Sequence, residues 1–178
     1  MAQIKKRKKF FDVEMPIVSK DTQLQAYNIE ELQNKYITYD LTRLLRGKSM
    51  EITLKVVVEG DKITTTPYKI KLMPYFLQRM MRKATNYIES SFSAKCKNSQ
   101  LRIKPFLITR KKVSRAVRNS LRNKAKDEIS EYIKEMTFEE VFDEVIKNKL
   151  QKTLSLKLKK IYPLSLCEIR IMKVEKGV

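Results

Sequence analysis

Between residues 69 and 124 the chain carries sixteen Lys and Arg side chains and a single carboxylate, Glu89. A surface built only for solubility intersperses both signs. A block of one sign this long is chemistry for holding anions. Guanidinium groups pair with phosphate through two parallel hydrogen bonds, and ammonium groups act as point charges. The block holds +15 of the +19 net charge carried by the 178 residues. A second cluster, Lys5, Lys6, Arg7, Lys8 and Lys9, opens the chain and runs into Phe10 and Phe11. Five consecutive cations stay solvated unless something anionic holds them. Nucleic acid is the leading partner for this charge balance, and an anionic membrane surface is the second.

The residue types also exclude chemistry. With no histidine in the chain, His-based acid–base catalysis, Ser-His or Cys-His nucleophile pairs and His-ligated metal have no basis. Cys96 and Cys167 stand 71 residues apart. They form neither a CxxC pair nor a disulfide framework, which suits a reducing compartment, and as free thiols they are expected in the core. Three glycines are too few to draw a phosphate-cradling loop. Apolar runs never exceed three residues, so no transmembrane helix or signal-peptide core is expected. A nucleic-acid-processing enzyme would need carboxylates converging inside the basic surface, and the basic block offers only Glu89. A membrane anchor would need an amphipathic helix with large exposed apolar side chains, and none is legible.

Several elements must position these cations. Residues 10–72 read mainly as strands. Ile52, Leu54, Val56 and Val58 alternate with Glu51, Thr53, Lys55 and Val57, the period of a half-buried strand. Gly60-Asp61 is a turn signal, and 62–72 alternate again, so the pair reads as a hairpin with Pro67 at an edge or bulge. Pro74 then opens a helix. At helical spacing Phe76, Leu77, Met80, Met81, Ala84 and Tyr87 share an arc of roughly 140°, with Tyr75, Arg79, Arg82, Lys83 and Asn86 opposite. Residues 87–96 and 100–110 read as a second hairpin turning at Asn98-Ser99, with Ile88, Phe92, Ile103, Phe106 and Ile108 inward.

The longest helix is expected over about 112–135. Val113, Val117, Leu121, Ala125, Ile129 and Ile133 recur every four residues, so the apolar stripe winds slowly around the helix. Lys111, Arg115, Arg118, Arg122 and Lys126 occupy another arc, which presents the arginines of the first half outward while the second half packs into protein. A short helix over 137–149 starts with a capping box, Thr137 and Glu140, and staple positions Met136 and Val141. Its acidic face, Glu139, Asp143 and Glu144, reads as solvated surface. Residues 150–161 suit helix or strand, and 165–174 form a last strand. The fold class is α+β: an antiparallel, partly closed, barrel-like sheet core with three or four helices and a basic N-terminal tail. A tail over 1–9 and a single domain over 10–178 follow.

The two ends of the chain resemble a known family. Ile161-Tyr162-Pro163-Leu164, with Glu168-Ile169-Arg170 and Lys173-Val174, is similar to the closing segment of the small-ribosomal-subunit proteins called S-three-A-e or e-S-one. The basic tail followed by Phe10 to Pro16 resembles that family's aromatic pair, short strand and proline, with Phe10-Phe11 where Trp-Tyr is usual. The order of elements between the ends is also similar. The resemblance implies a structural constituent of the small subunit, active in translation as part of a cytoplasmic ribonucleoprotein, without catalysis, metal or cofactor. It implies binding to ribosomal RNA at the platform near the RNA 3′ end and the messenger RNA exit, beside neighbouring platform proteins and the messenger RNA itself. On that reading the RNA-binding residues are Lys5, Lys6, Arg7, Lys8 and Lys9 of the tail, then Arg79, Arg82 and Lys83, then Lys111, Lys112, Arg115, Arg118 and Arg122. Tyr75 and Phe10 are stacking candidates, although aromatics at such positions belong to the core more often than not.

Overall fold

A computed structural model describes residues 7–60 and 62–175. Lys5, Lys6, Asp61 and Gly177 lie outside the described residues. The chain forms two compact units, one of Met1–Tyr39 with Thr53–Tyr68 and the other of Asp40–Ile52 with Lys69–Val178.

In the first unit β1 (Lys9–Met15) pairs antiparallel with β2 (Lys20–Ala26) over its full length, from Lys9 opposite Ala26 to Met15 opposite Lys20. The turn between them closes with the Val18 and Ser19 amides donating to the Met15 and Pro16 carbonyls. A 3-10 turn (Ile29–Leu32) leads to β3 (Tyr36–Asp40). The long hairpin follows as β4 (Met50–Glu59) and β5 (Lys62–Leu72), of which Thr53–Tyr68 belongs to this unit and the ends, Met50–Ile52 and Lys69–Leu72, to the second. It turns at Gly60, whose φ of 63° only glycine adopts without strain. The expected alternation holds: Met50, Ile52, Leu54 and Val56 are wholly buried. Val13, Ala26, Leu32, Val56 and Ile63 form the core of this unit, with Phe11, Leu24 and Ile37 packed on it.

The second unit contains α1 (Pro74–Met80), β6 (Tyr87–Glu89), β7 (Phe92–Lys95), β8 (Gln100–Thr109), α2 (Arg115–Ile133), α3 (Phe138–Ile146), α4 (Lys149–Leu158) and β9 (Leu164–Glu175). The larger sheet has the order β3-β4-β5-β9-β8-β6, with β7 also on β8, and every strand pairing whose register is resolved is antiparallel. The path starts and ends on different strands, so the sheet is open rather than closed into a barrel. β5 meets β9 from Lys69 onward, two residues past Pro67, so the proline takes no part in that pairing. β8 carries Pro105, which has no N–H for the ladder, and its register with β9 shifts between Lys104 and Pro105.

Three expectations need correction. The first strand of the second hairpin is interrupted at Ser90-Ser91, giving β6 and β7, each paired separately with β8. The ambiguous stretch after α3 is a helix, α4, which buries Leu150, Leu154 and Leu158 against β9, α2 and α3. Both cysteines are half-buried rather than core. Cys96 sits in the β7–β8 turn and donates through Sγ to the Ser99 carbonyl at 2.8 Å. Cys167 lies on β9, where burial, reinforced by the neighbouring Glu168 carboxylate, pushes its thiol up to about 12.

The helices follow their sequence signals closely. Ser114 caps α2 by accepting from the Val117 amide. Leu121, Ala125, Ile129 and Ile133 are buried, whereas Val113 and Val117, earlier on the same stripe, are half-buried. The Thr137–Glu140 capping box of α3 is complete in both directions, and these hydrogen bonds hold the Glu140 carboxyl below its ordinary range. One buried ion pair ties three segments together. The Lys48 ammonium, just before β4, donates to Glu168 Oε2 on β9 at 2.6 Å and to Asn148 Oδ1 between α3 and α4 at 2.5 Å.

Candidate nucleic-acid interface

The second unit assembles its cations by ending a helix early. The pattern over 74–87 suits a single helix, yet α1 stops at Met80, and Met81 adopts an extended ψ of 125°. Local and long-range hydrogen bonds take over the backbone. The Thr85 hydroxyl donates to the Arg82 carbonyl at 2.7 Å, and Ala84 enters the left-handed region at φ 62°. The Asn86 amide then donates to Thr109 Oγ1 at 3.0 Å, and the Thr109 amide returns to the Asn86 carbonyl at 2.9 Å. The Asn86 side chain accepts from the Val113 amide at 2.8 Å, and the Thr109 hydroxyl lies 2.7 Å from the Lys111 carbonyl. Met81, Ala84 and Tyr87, expected to face the core from one helix, are exposed as a result.

This clasp brings two cationic segments to one place. Arg82 and Lys83 precede Asn86, Arg110 to Lys112 follow Thr109, and all five are exposed. Arg115 is exposed at the first residue of α2, which begins three residues later than expected. On α1 Tyr75 and Arg79 are also exposed, with the Arg79 guanidinium 5.6 Å from the centre of the Phe76 ring. The usual behaviour of aromatics favoured the core for Tyr75 and Phe10, but both rings are more than half exposed, Tyr75 on the charged arc where its spacing put it.

Not every expected arginine is free to meet a partner. Arg118 is half-buried, and its buried Nε has no hydrogen-bond partner. Arg122 donates through Nε to the Glu89 carbonyl at 3.3 Å and through Nη1 to Asn119 Oδ1 at 3.0 Å. Glu89 itself, the lone acid of the block, is paired with Arg170 Nη1 at 2.9 Å. In the first unit Arg7, Lys8 and Lys9 are exposed, Lys8 sits over the Tyr27 ring at 5.6 Å, and Lys9 already belongs to β1.

In the acidic stretch 125–150 Glu128, Asp143 and Glu144 are paired, and Glu139 on α3 is exposed as expected. Glu128 is held below its ordinary range mainly by hydrogen bonds from Lys157 and Lys124, with Lys124 at 3.0 Å. Asp143 pairs with Lys147 at 2.9 Å, and Glu144 takes Lys149 and the Tyr132 hydroxyl. These pairings engage none of Arg79, Arg82, Lys83, Lys111, Lys112 and Arg115, whereas Arg102 in the same stretch is paired with Glu175 at 2.7 Å. Among the described residues no group of three or more Cys, Asp or Glu side chains is placed to hold a metal ion. No helix among them is long and apolar enough to cross a membrane.

Sequence reasoning singled out the cations but missed Asn86 and Thr109, the residues that gather them, and left Arg110 aside. Arg110 was legible as the start of a run with Lys111 and Lys112. The Asn86–Thr109 contact spans 23 residues and has no local signature. Thr109→Val keeps the shape, removes the hydroxyl and is expected to cost about 1–3 kcal/mol of unfolding free energy. Urea denaturation measures it, and Thr109→Ser should recover most of the loss. Equal stability of the Val variant and the native chain would mean the clasp is not holding these segments.

A comparison with curated proteins found no match. A model of the Ribosomal S3Ae family matches residues 3–177, which spans the clasp, the paired Glu89 and both ends of the chain. With a cationic face of this kind on a folded unit and that match over nearly its whole length, the chain belongs to the Ribosomal S3Ae family, a structural protein of the small ribosomal subunit whose partners are ribosomal RNA and ribosomal proteins.

Proposed function

We propose that this protein anchors small-subunit ribosomal RNA at the platform, near the RNA 3′ end and the messenger RNA exit, in the cytoplasm. Its contact residues are Arg79, Arg82, Lys83, Lys111, Lys112 and Arg115, with Tyr75 stacking on an exposed base. Lys5 to Lys9 add a second, separate attachment, and Arg118 and Arg122 contribute through whatever part of each guanidinium the protein leaves unused. The observation that carries this reading is the clasp, because it gathers cations from two segments 23 residues apart on one face of a folded unit.

The physics is counterion release. Each phosphate neutralised by Lys or Arg frees condensed cations, so affinity falls steeply with salt. Folded RNA offers mainly backbone and shallow minor groove, so phosphate spacing and shape matter more than base sequence. The reading includes no catalytic step, since the basic block supplies one carboxylate, Glu89, and no second acid of that block to converge with it. The full chain should co-sediment with small subunits through moderate salt washes, and its recovery only in free fractions would overturn the proposal.

A further inference from the structure

The early end of α1 leaves a cleft of about 270 Å³ beside β6. Leu77 and Met81 line it from α1, and Tyr87 and Phe106 line it from the sheet. The two rings are stacked, 6.0 Å between centres and 15° from parallel. Phe106 is almost fully buried, whereas Tyr87 is 59% exposed and Met81 41% exposed. A stack of two aromatic rings that ends on an exposed face beside a methionine suits a third planar ring. Polar groups complete the lining: the Gln78 amide, and the Glu89–Arg170 pair at 2.9 Å. Both charged groups keep unused hydrogen-bonding capacity, because the pair is a single contact between a two-oxygen acceptor and a five-donor fork. Donors and acceptors therefore stand together at the edge of a flat apolar slot. A second cleft, of about 320 Å³, shares Glu89 and Arg170 and adds Ser90, Ser91 and Lys104.

We propose that the Tyr87 cleft seats one unpaired RNA base, stacked on Tyr87 and held at its edge by Gln78, Glu89 and Arg170. The phosphate of that nucleotide falls to the hydroxyls of Ser90 and Ser91 and the Lys104 ammonium in the adjoining cleft. Charge selects RNA over a protein segment here. The surrounding block 69–124 is strongly cationic, and the cleft residues Gln78 and Met81 are followed in the chain by Arg79 and Arg82, which are exposed. Single-stranded RNA is recognised by this combination of aromatic stacking, edge hydrogen bonds and a cationic track. The inference rests on the RNA-binding reading and adds a base-stacking site to a phosphate-binding face.

The test uses the full chain and a ten-nucleotide single-stranded RNA carrying 2-aminopurine, with a duplex of the same length as control. Tyr87→Ala should weaken single-strand binding about 5- to 100-fold. It should leave duplex affinity and the salt slope as they were, because no cation is lost. Tyr87→Phe should restore the binding and the 2-aminopurine quenching. Equal single-strand affinity for the native chain and Tyr87→Ala, with steep salt dependence in both, would overturn the base site alone. Loss of duplex and single-strand binding together would show a merely structural role and also overturn it. Failure of the native chain to bind any RNA would instead remove the RNA-binding reading on which the site depends.

Discussion

Lys48→Met is expected to lower the unfolding free energy by about 3–5 kcal/mol, the usual result of stranding a buried charge. The Lys48 side chain is 9% exposed and its partner Glu168 13% exposed, so both charges are largely shielded from water. Removing the ammonium leaves the Glu168 carboxylate on β9 without its 2.6 Å partner and Asn148 Oδ1 without its donor. Asn148 sits in the left-handed region at φ 57°, a conformation Asn tolerates better than most residues. The lysine therefore also secures the junction between α3 and α4. The double variant Lys48→Met with Glu168→Leu should recover most of the loss, since replacing both members of a buried pair by apolar groups is often neutral or stabilising. Urea denaturation of the two variants decides the matter. A Lys48→Met variant as stable as the native chain would show that water reaches the pair and screens it.

The contrast between what the sequence disclosed and what it hid follows the range of the interactions. The β4–β5 hairpin was legible because its alternation and its Gly60 turn are local. So was α3, whose capping box lies within four residues, and so were Leu121, Ala125, Ile129 and Ile133, spaced for burial along one helix. The length of α1 was not legible. Phe76 to Tyr87 have good helical spacing, and what overrules it is Thr109, on a strand that has not yet been made when the chain passes Asn86. The same cause hid the exposure of Met81 and Tyr87, and with it the cleft. The Lys48–Glu168 contact spans 120 residues, and neither residue looks unusual where it stands. At the interface the cations were legible as a composition, whereas their division into free and engaged groups was not. Arg118 and Arg122 share an arc with Arg115, yet one is partly packed into protein and the other is bonded to a backbone carbonyl of β6.

That division sets the design of the RNA-binding experiment. Arg82→Gln, Lys111→Gln, Lys112→Gln and Arg115→Gln together remove four exposed charges from the clasped face and leave Arg118 and Arg122 native, so that no protein contact is lost with the phosphate contacts. Each phosphate contact contributes about 0.7–0.9 to the slope of log affinity against log salt, so the fourfold variant should lose about 3 from that slope. Between 50 and 200 mM salt a slope difference of about 3 corresponds to roughly 60-fold. The native chain should lose about that much more affinity for small-subunit RNA than the variant over the same range, from a much tighter starting point. A matched control removes four other exposed lysines of the same unit, Lys134, Lys152, Lys159 and Lys160. Net charge then falls equally in both variants. If RNA senses only the overall +19, the two slopes will drop together and the directed face is refuted. If it meets the face gathered by Asn86 and Thr109, the control keeps nearly the native slope. Thr109→Val should then fall between them, because it retains every cation and the backbone bond to Asn86 and loses only the hydroxyl contacts that tighten the two segments.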